Sequence, residues 1–336
     1  MSAKQQFIQL DKAWGMLPKP ICRYYQLSDY VICLAFSHEA LIPRMSRALE
    51  HLFIQARDKV NFTICIWDTA KGGQSLPVLD WNLINANGYQ GVQEGPVFLH
   101  YFDAIDALSL IDIEKKHAFY VVKDAQKLPW WVGGSPLQVI LNVALANKGL
   151  HLTHAAAIGD EQGAILLTGK GGSGKSTTTL ACLRAGLNYL AEDYCVLSQS
   201  TKPMVMSVYQ SAKWESHTRA MFSEYEAYIE NPLEAQKEKA LVFYNDIFPK
   251  QIKLQLPIKA IVSLEVGLCE KPKWEKREAS HVWSNLILSS LFQLPFLREA
   301  KMKSLKEIAL TLPNSHLMLG KCLDSNVSMI KEILNG

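Results

Sequence analysis

Residues 154–197 read HAAAIGDEQGAILLTGKGGSGKSTTTLACLRAGLNYLAEDYCVL, and they decide the fold class. An apolar run, GAILLTG, has the composition of a buried strand. It meets a glycine-rich turn, and KSTTTLACLRAG then opens a helix that Gly186 stops. Gly169, Gly174, Lys175 and Ser176 fit G-x-x-x-x-G-K-[ST] in full. Glycines there let backbone N–H groups turn inward around phosphate oxygens. Lys175 is placed to reach the outer phosphates, the Ser176 hydroxyl to coordinate Mg²⁺, and the helix points its positive end at the anion. Lys170, Gly171, Gly172, Ser173 and Thr177 complete the candidate nucleotide-binding set.

A phosphate loop does not name a reaction; its neighbours do. His154 lies on the strand before the loop strand, and Glu192 and Asp193 close the strand after the loop helix. A strand–loop–helix–strand unit brings Gly169 and Asp193 to one sheet edge. A carboxylate there can hold a metal or accept a proton from an attacking hydroxyl. Taken alone, the histidine reads more readily as a core residue. Glu265, ending the apolar strand AIVSLE, is a second candidate for the metal carboxylate. Lys213 in SAKWE and Lys239 in EKALVFY are candidates to neutralise charge on a transferring group, although lysines in such runs are more often solvated.

Outward from this core the chain separates by texture. Residues 1–131 read as a small α+β recognition domain without a catalytic constellation. YYQLSDYVICLAF, NFTICIWDT, GPVFLHYFDA and KKHAFYVVKDA have strand composition, and EALIPRMSRALEHLFIQA reads as one helix interrupted by Pro43. Residues 132–336 read as the catalytic domain. The helix LQVILNVALANKG leads in, LHLTHAAAIG, LNYLAEDYCVLS, KPMVMSVYQ and IKAIVSLEVG are further strands, and the tail from Ser280 is mostly helical. The charged stretch 214–244 reads as surface structure or a mobile lid.

Composition bounds the rest. Of 336 residues, 49% are apolar and 20% charged, as in an ordinary globular protein. The balance of 35 basic against 32 acidic residues, without a dense basic run, argues against nucleic acid as the partner. Seven cysteines, an odd number with no CxxC spacing, read as reduced thiols. The start, MSAKQQFIQLDKAWG, lacks the apolar core of a signal peptide, and no apolar run has the length of a membrane span. The expected location is cytoplasmic with no membrane insertion, and the oligomeric state is left open.

The trio of histidine, phosphate loop and acidic pair over residues 150–196 resembles the catalytic core of the bacterial HPr kinase/phosphorylase family, which is related to phosphoenolpyruvate carboxykinase. The resemblance implies an α/β fold: a P-loop kinase core built on a twisted mixed sheet. It also implies an ATP- and Mg²⁺-dependent kinase. Lys175 would lie on the transferring phosphate, Ser176 at the metal, and Glu192 at the metal or the substrate. Asp193 would accept the proton of a serine hydroxyl, with His154 near the attacking group. The family's acidic pair is usually Asp-Asp, and its later glycine-rich signature has no match here. The layout, with HAAA before the loop and EKALVFYNDIFP before IKAIVSLEV, is more similar to HPr-kinase-like proteins encoded beside biosynthetic genes, among them kinases of lasso-peptide precursors. The acceptor is then a hydroxyl-bearing peptide, protein or small molecule. The alternative is a non-catalytic nucleotide-binding regulator or recruiter in a biosynthetic complex.

Overall fold

The computed structural model describes residues 2–72 and 91–336. Two compact units emerge: Met1–Lys148 with Leu294–Leu297, and Gly149–Gln293 with Arg298–Gly336. The division falls at Gly149, not near residue 132, so the helix Gln138–Ala146, expected to open the second domain, belongs to the first unit.

In the first unit an eight-stranded sheet runs β3-β1-β2-β4-β8-β7-β6-β5. Its strands are β1 (Ile21–Leu27), β2 (Tyr30–Phe36), β3 (Phe53–Ile54), β4 (Phe62–Asp68), β5 (Val92–Glu94), β6 (Val97–Phe102), β7 (Ala107–Asp112) and β8 (His117–Val122). In the parallel centre β2-β4-β8, strand β2 is apolar and buried throughout, as a strand covered on both faces must be. The helix Ala3–Trp14 packs Phe7 and Leu10 against Trp67, Phe119 and Val121. It starts from a reciprocal cap between Ser2 and Gln5. EALIPRMSRALEHLFIQA is not one helix. Pro43 sits in the first turn of a short helix, Ile42–Ser46, with 3₁₀ turns on either side, because proline can begin a helix but not continue one.

The second unit carries β9 (Leu150–His154), β10 (Ala156–Gly159), β11 (Ala164–Thr168), β12 (Asn188–Ala191), β13 (Tyr194–Ser198), β14 (Met204–Ser207), β15 (Ser211–Trp214), β16 (Ala240–Phe243), β17 (Gln255–Val266), β18 (Lys273–Lys276) and β19 (Asn314–Leu319). Strand β17 is long enough to serve two branches of one mixed sheet. Its start pairs with β14, continuing to β13 and β9. Its later residues lie between β11 and β19, both parallel to it. On one face Leu180, Leu183, Tyr189, Val262, Leu317 and Ile330 form a core beneath the helices Lys175–Arg184 and Leu323–Asn335. On the other face Leu166, Leu190, Ile261, Leu286 and Leu305 pack under Ala279–Gln293 and Arg298–Thr311. Among the described residues no helix is long and apolar enough to cross a membrane.

The stretch 214–244 is not a loose surface segment. Around its β15–β16 ribbon, Trp214 at the end of β15, Phe222 after the helix Ser216–Met221 and Tyr244 just past β16 are buried in the core under the loop helix, and Trp214 Nε1 donates to Tyr244 Oη at 3.1 Å. Its charged residues alternate with apolar anchors, which hides the burial from a composition average.

Candidate functional site

The glycine loop joins β11 to the helix Lys175–Arg184. Gly172 and Gly174 have φ of 79° and 92°, in the left-handed region where a Cβ is strained. A Cβ on Gly169 would come within 2.5 Å of Ser173 Oγ and 2.8 Å of the Leu264 carbonyl, whereas Gly171 and Gly172 face open space. The backbone is thus packed tightly at its base and open at its rim. Lys175 spans the loop, its Nζ donating to the Gly169 carbonyl at 2.8 Å and the Lys170 carbonyl at 3.3 Å. Burial lowers its pKa against the opposing charges of Glu192 and Asp193. The Thr177 hydroxyl turns away from the rim, meeting Thr218 Oγ1 at 2.7 Å and His217 Nε2 at 3.4 Å.

Two strand pairs deliver the other groups. Strand β10 lies between β11 and β12, antiparallel to both, so the exit of β12 and the loop share one sheet edge. Tyr194 pairs with His154 across β13 and β9. Glu192 and Asp193 stand in the short link between β12 and β13, opposite the histidine. His154 Nε2 donates to Asp193 Oδ1 at 2.8 Å, and Lys213 Nζ on β15 lies 3.5 Å from Asp193 Oδ2. Burial alone would push Asp193 upward. The hydrogen bond from His154 and the charge of Lys213 outweigh it and hold the carboxyl well below the usual carboxylate range.

Glu192 behaves in the opposite way. Only 4% exposed, it is pushed up to about 7 by burial and by the charge of Asp193, while a hydrogen bond from Ser176 and the charges of Lys213 and Lys175 pull it down. Ser176 and Glu192 together present hard oxygen donors at the N-terminus of a helix, the chemistry that suits Mg²⁺ held jointly with phosphate oxygens. With the open rim at Gly171 and Gly172, the residues present fit a nucleotide triphosphate and its magnesium.

The sequence-expected residues His154, Lys175, Ser176, Glu192 and Asp193 therefore gather at one edge. Glu265 does not join them. Ser263, Glu265 and His316 point to the other face of the sheet, where Asn285 donates to Ser263 and His316 Nε2 lies 3.3 Å from Glu265 Oε2. Glu265 is 63% exposed there, away from the loop helix. Lys213 lies closer to the centre than its charged sequence context suggests. His217 and Glu215 were not visible as site neighbours, because the ribbon register that brings them in is a tertiary feature.

No family model matches the chain, and no curated protein matches it. Among solved structures, the HPr(Ser) kinase/phosphatase from Coxiella burnetii is similar to it at a TM-score of 0.31 and 13% identity, over 55% of this chain and 95% of that one.

Proposed function

We propose that this protein is an ATP-dependent phosphotransferase that moves the γ-phosphoryl group to a hydroxyl of a peptide, protein or small molecule. One observation carries the reading. Glu192 touches the loop serine and the adjacent Asp193 is held by His154 and Lys213, so a metal-type carboxylate and a proton-accepting carboxylate face one phosphate loop. The resemblance in the sequence over residues 150–196 points the same way.

The residues divide the work as follows. The loop N–H groups and Lys175 hold the phosphate chain, and Ser176 and Glu192 hold magnesium. A magnesium ion at those oxygens offsets charge on the phosphates. Asp193 receives the acceptor's proton as the new O–P bond forms and the bond to the β-phosphate breaks. Clamped by His154 and Lys213, it is a weak base; a Lys213 drawn toward phosphate leaves it more basic. His154 keeps the carboxylate oriented.

The test is transfer from γ-labelled ATP across a panel of hydroxyl acceptors, in the parent and in Asp193→Asn. The variant should bind ATP normally and transfer roughly 10²–10⁴-fold more slowly. A parent that binds ATP yet labels nothing supports the alternative, a nucleotide-dependent recruiter. Transfer at an undiminished rate in Asp193→Asn removes Asp193 as the proton acceptor.

A further inference from the structure

The β15–β16 ribbon has two unlike faces. Ala212, Trp214, Ala240 and Val242 pair with one another and enter the core. Lys213 pairs with Leu241 on the opposite face, the one that meets Asp193. One step further along that face, Lys239 Nζ lies 2.9 Å from Glu215 Oε1, both side chains 51% exposed. The backbone beneath them is fixed: buried Asn231 donates to the Lys239 carbonyl at 3.0 Å and accepts from the Leu241 N–H at 2.7 Å. The lysine side chain is thus the movable part of a rigid mount.

We propose that Lys239 is a further cation for the terminal phosphate of the bound nucleotide, beside Lys175 and Lys213, and that Glu215 is its intramolecular counter-ion, exchanged for that phosphate on binding. The inference rests on the phosphate-site reading above. Three facts support it. Lys239 shares the ribbon face of Lys213, which already touches the candidate base. Burial lowers its pKa, but Glu215, and behind it Glu192 and Asp193, raise it overall, so it lies within the field of the site's carboxylates. A half-exposed ion pair is held by little free energy, so a multiply charged phosphate can displace Glu215. The device leaves the ligand-free site without an unpaired lysine beside Lys175 and Lys213.

The test compares ATP with ADP binding by calorimetry, in the presence of Mg²⁺, for the full chain and for Lys239→Met, Lys239→Arg and Glu215→Gln. Lys239→Met should lose roughly tenfold of the parent's preference for ATP over ADP, with ADP affinity held within about twofold. Lys239→Arg should keep most of it. Glu215→Gln should enlarge it by about threefold, because the competing anion is gone. An unchanged preference in all three, or an equal fall for ATP and ADP in Lys239→Met, overturns the proposal. A parent that binds no ATP overturns both this proposal and the kinase reading. A Lys239-dependent preference without transfer to any hydroxyl overturns the kinase reading alone.

Discussion

Replacing Glu192 by glutamine should make the ligand-free protein more stable. Glu192 is 4% exposed and its carboxyl is pushed up to about 7, from an ordinary value of 4.5, by burial and the neighbouring Asp193. At about 1.4 kcal/mol per unit, that displacement corresponds to about 3 kcal/mol of strain in the folded state at pH 8, where the group is charged in both states. Glutamine keeps the size and can still accept from Ser176, so the expected gain is about 1–3 kcal/mol, a few degrees in Tm. The sign follows from proton binding. Between pH 4.5 and 7 the folded protein holds a proton that the unfolded chain has lost. Glu192's contribution to the parent's stability is therefore full below pH 4.5 and is lost as pH rises through 7. The advantage of the variant should then be full at pH 8 and shrink to under about 1 kcal/mol at pH 5.

Magnesium and ATP should reverse the order. Ligand at a hundred times its Kd adds about 2.7 kcal/mol to a protein that binds it, and the variant has lost an oxygen ligand with full negative charge. Thermal melts at pH 5 and 8, with and without Mg·ATP, read all four corners. A variant that melts at or below the parent at pH 8 without magnesium refutes the reasoning. So does a gain that is the same at both pH values.

Two further outcomes follow from the same structure. Lys301 is 2% exposed on Arg298–Thr311, and burial pushes its pKa down to about 7, so its share of stability is present above 10.5 and lost as pH falls toward 7; Lys301→Met should lack that pH dependence, its stability relative to the parent rising as pH falls from 10 to 7 in urea titrations. Gly174→Ala places a Cβ at φ 92° and within 2.5 Å of Leu319 Cδ1, and should cost about 1–3 kcal/mol of stability and weaken ATP binding measured by calorimetry, an unchanged affinity counting against a phosphate-holding loop.

The loop was legible because its chemistry is local: glycine, lysine and serine act through backbone they themselves shape. The order of His154, the loop and the acidic pair was legible too, because consecutive strands meet at one edge. What stayed hidden depends on partners far along the chain. Strand β18, KWEK, is exposed along its length and charged at three of four positions, and pairs with β19 beside it. Strand β19, NSHLML, sits in a tail whose other pieces are helical, and it earns its conformation from β17. The helix Ala3–Trp14 did carry a signal, Ser2 followed three residues later by Gln5, that its polar composition outweighed. Glu265 ends an apolar strand next to the loop strand, yet the period of two along β17 turns it to the far face, which only the register decides.

The position of the site follows from the sheet having two branches. Strand β10 pairs with β12, and Ala157 faces Ala191; strand β9 pairs with β13, and His154 faces Tyr194. Between these pairings Ala155 on one side and Glu192 and Asp193 on the other pass from one branch to the next, outside any strand. Within a continuous strand of this sheet, neighbouring side chains would alternate between two apolar cores, and two adjacent carboxylates would put one charge into each. At the crossing, both can turn toward the loop edge instead: Glu192 to Ser176, and Asp193 to His154 and Lys213. The remaining cost, a buried Glu192 beside a charged Asp193, is strain that a magnesium ion would relieve under the proposed function, which would tie the instability of this corner to the cation.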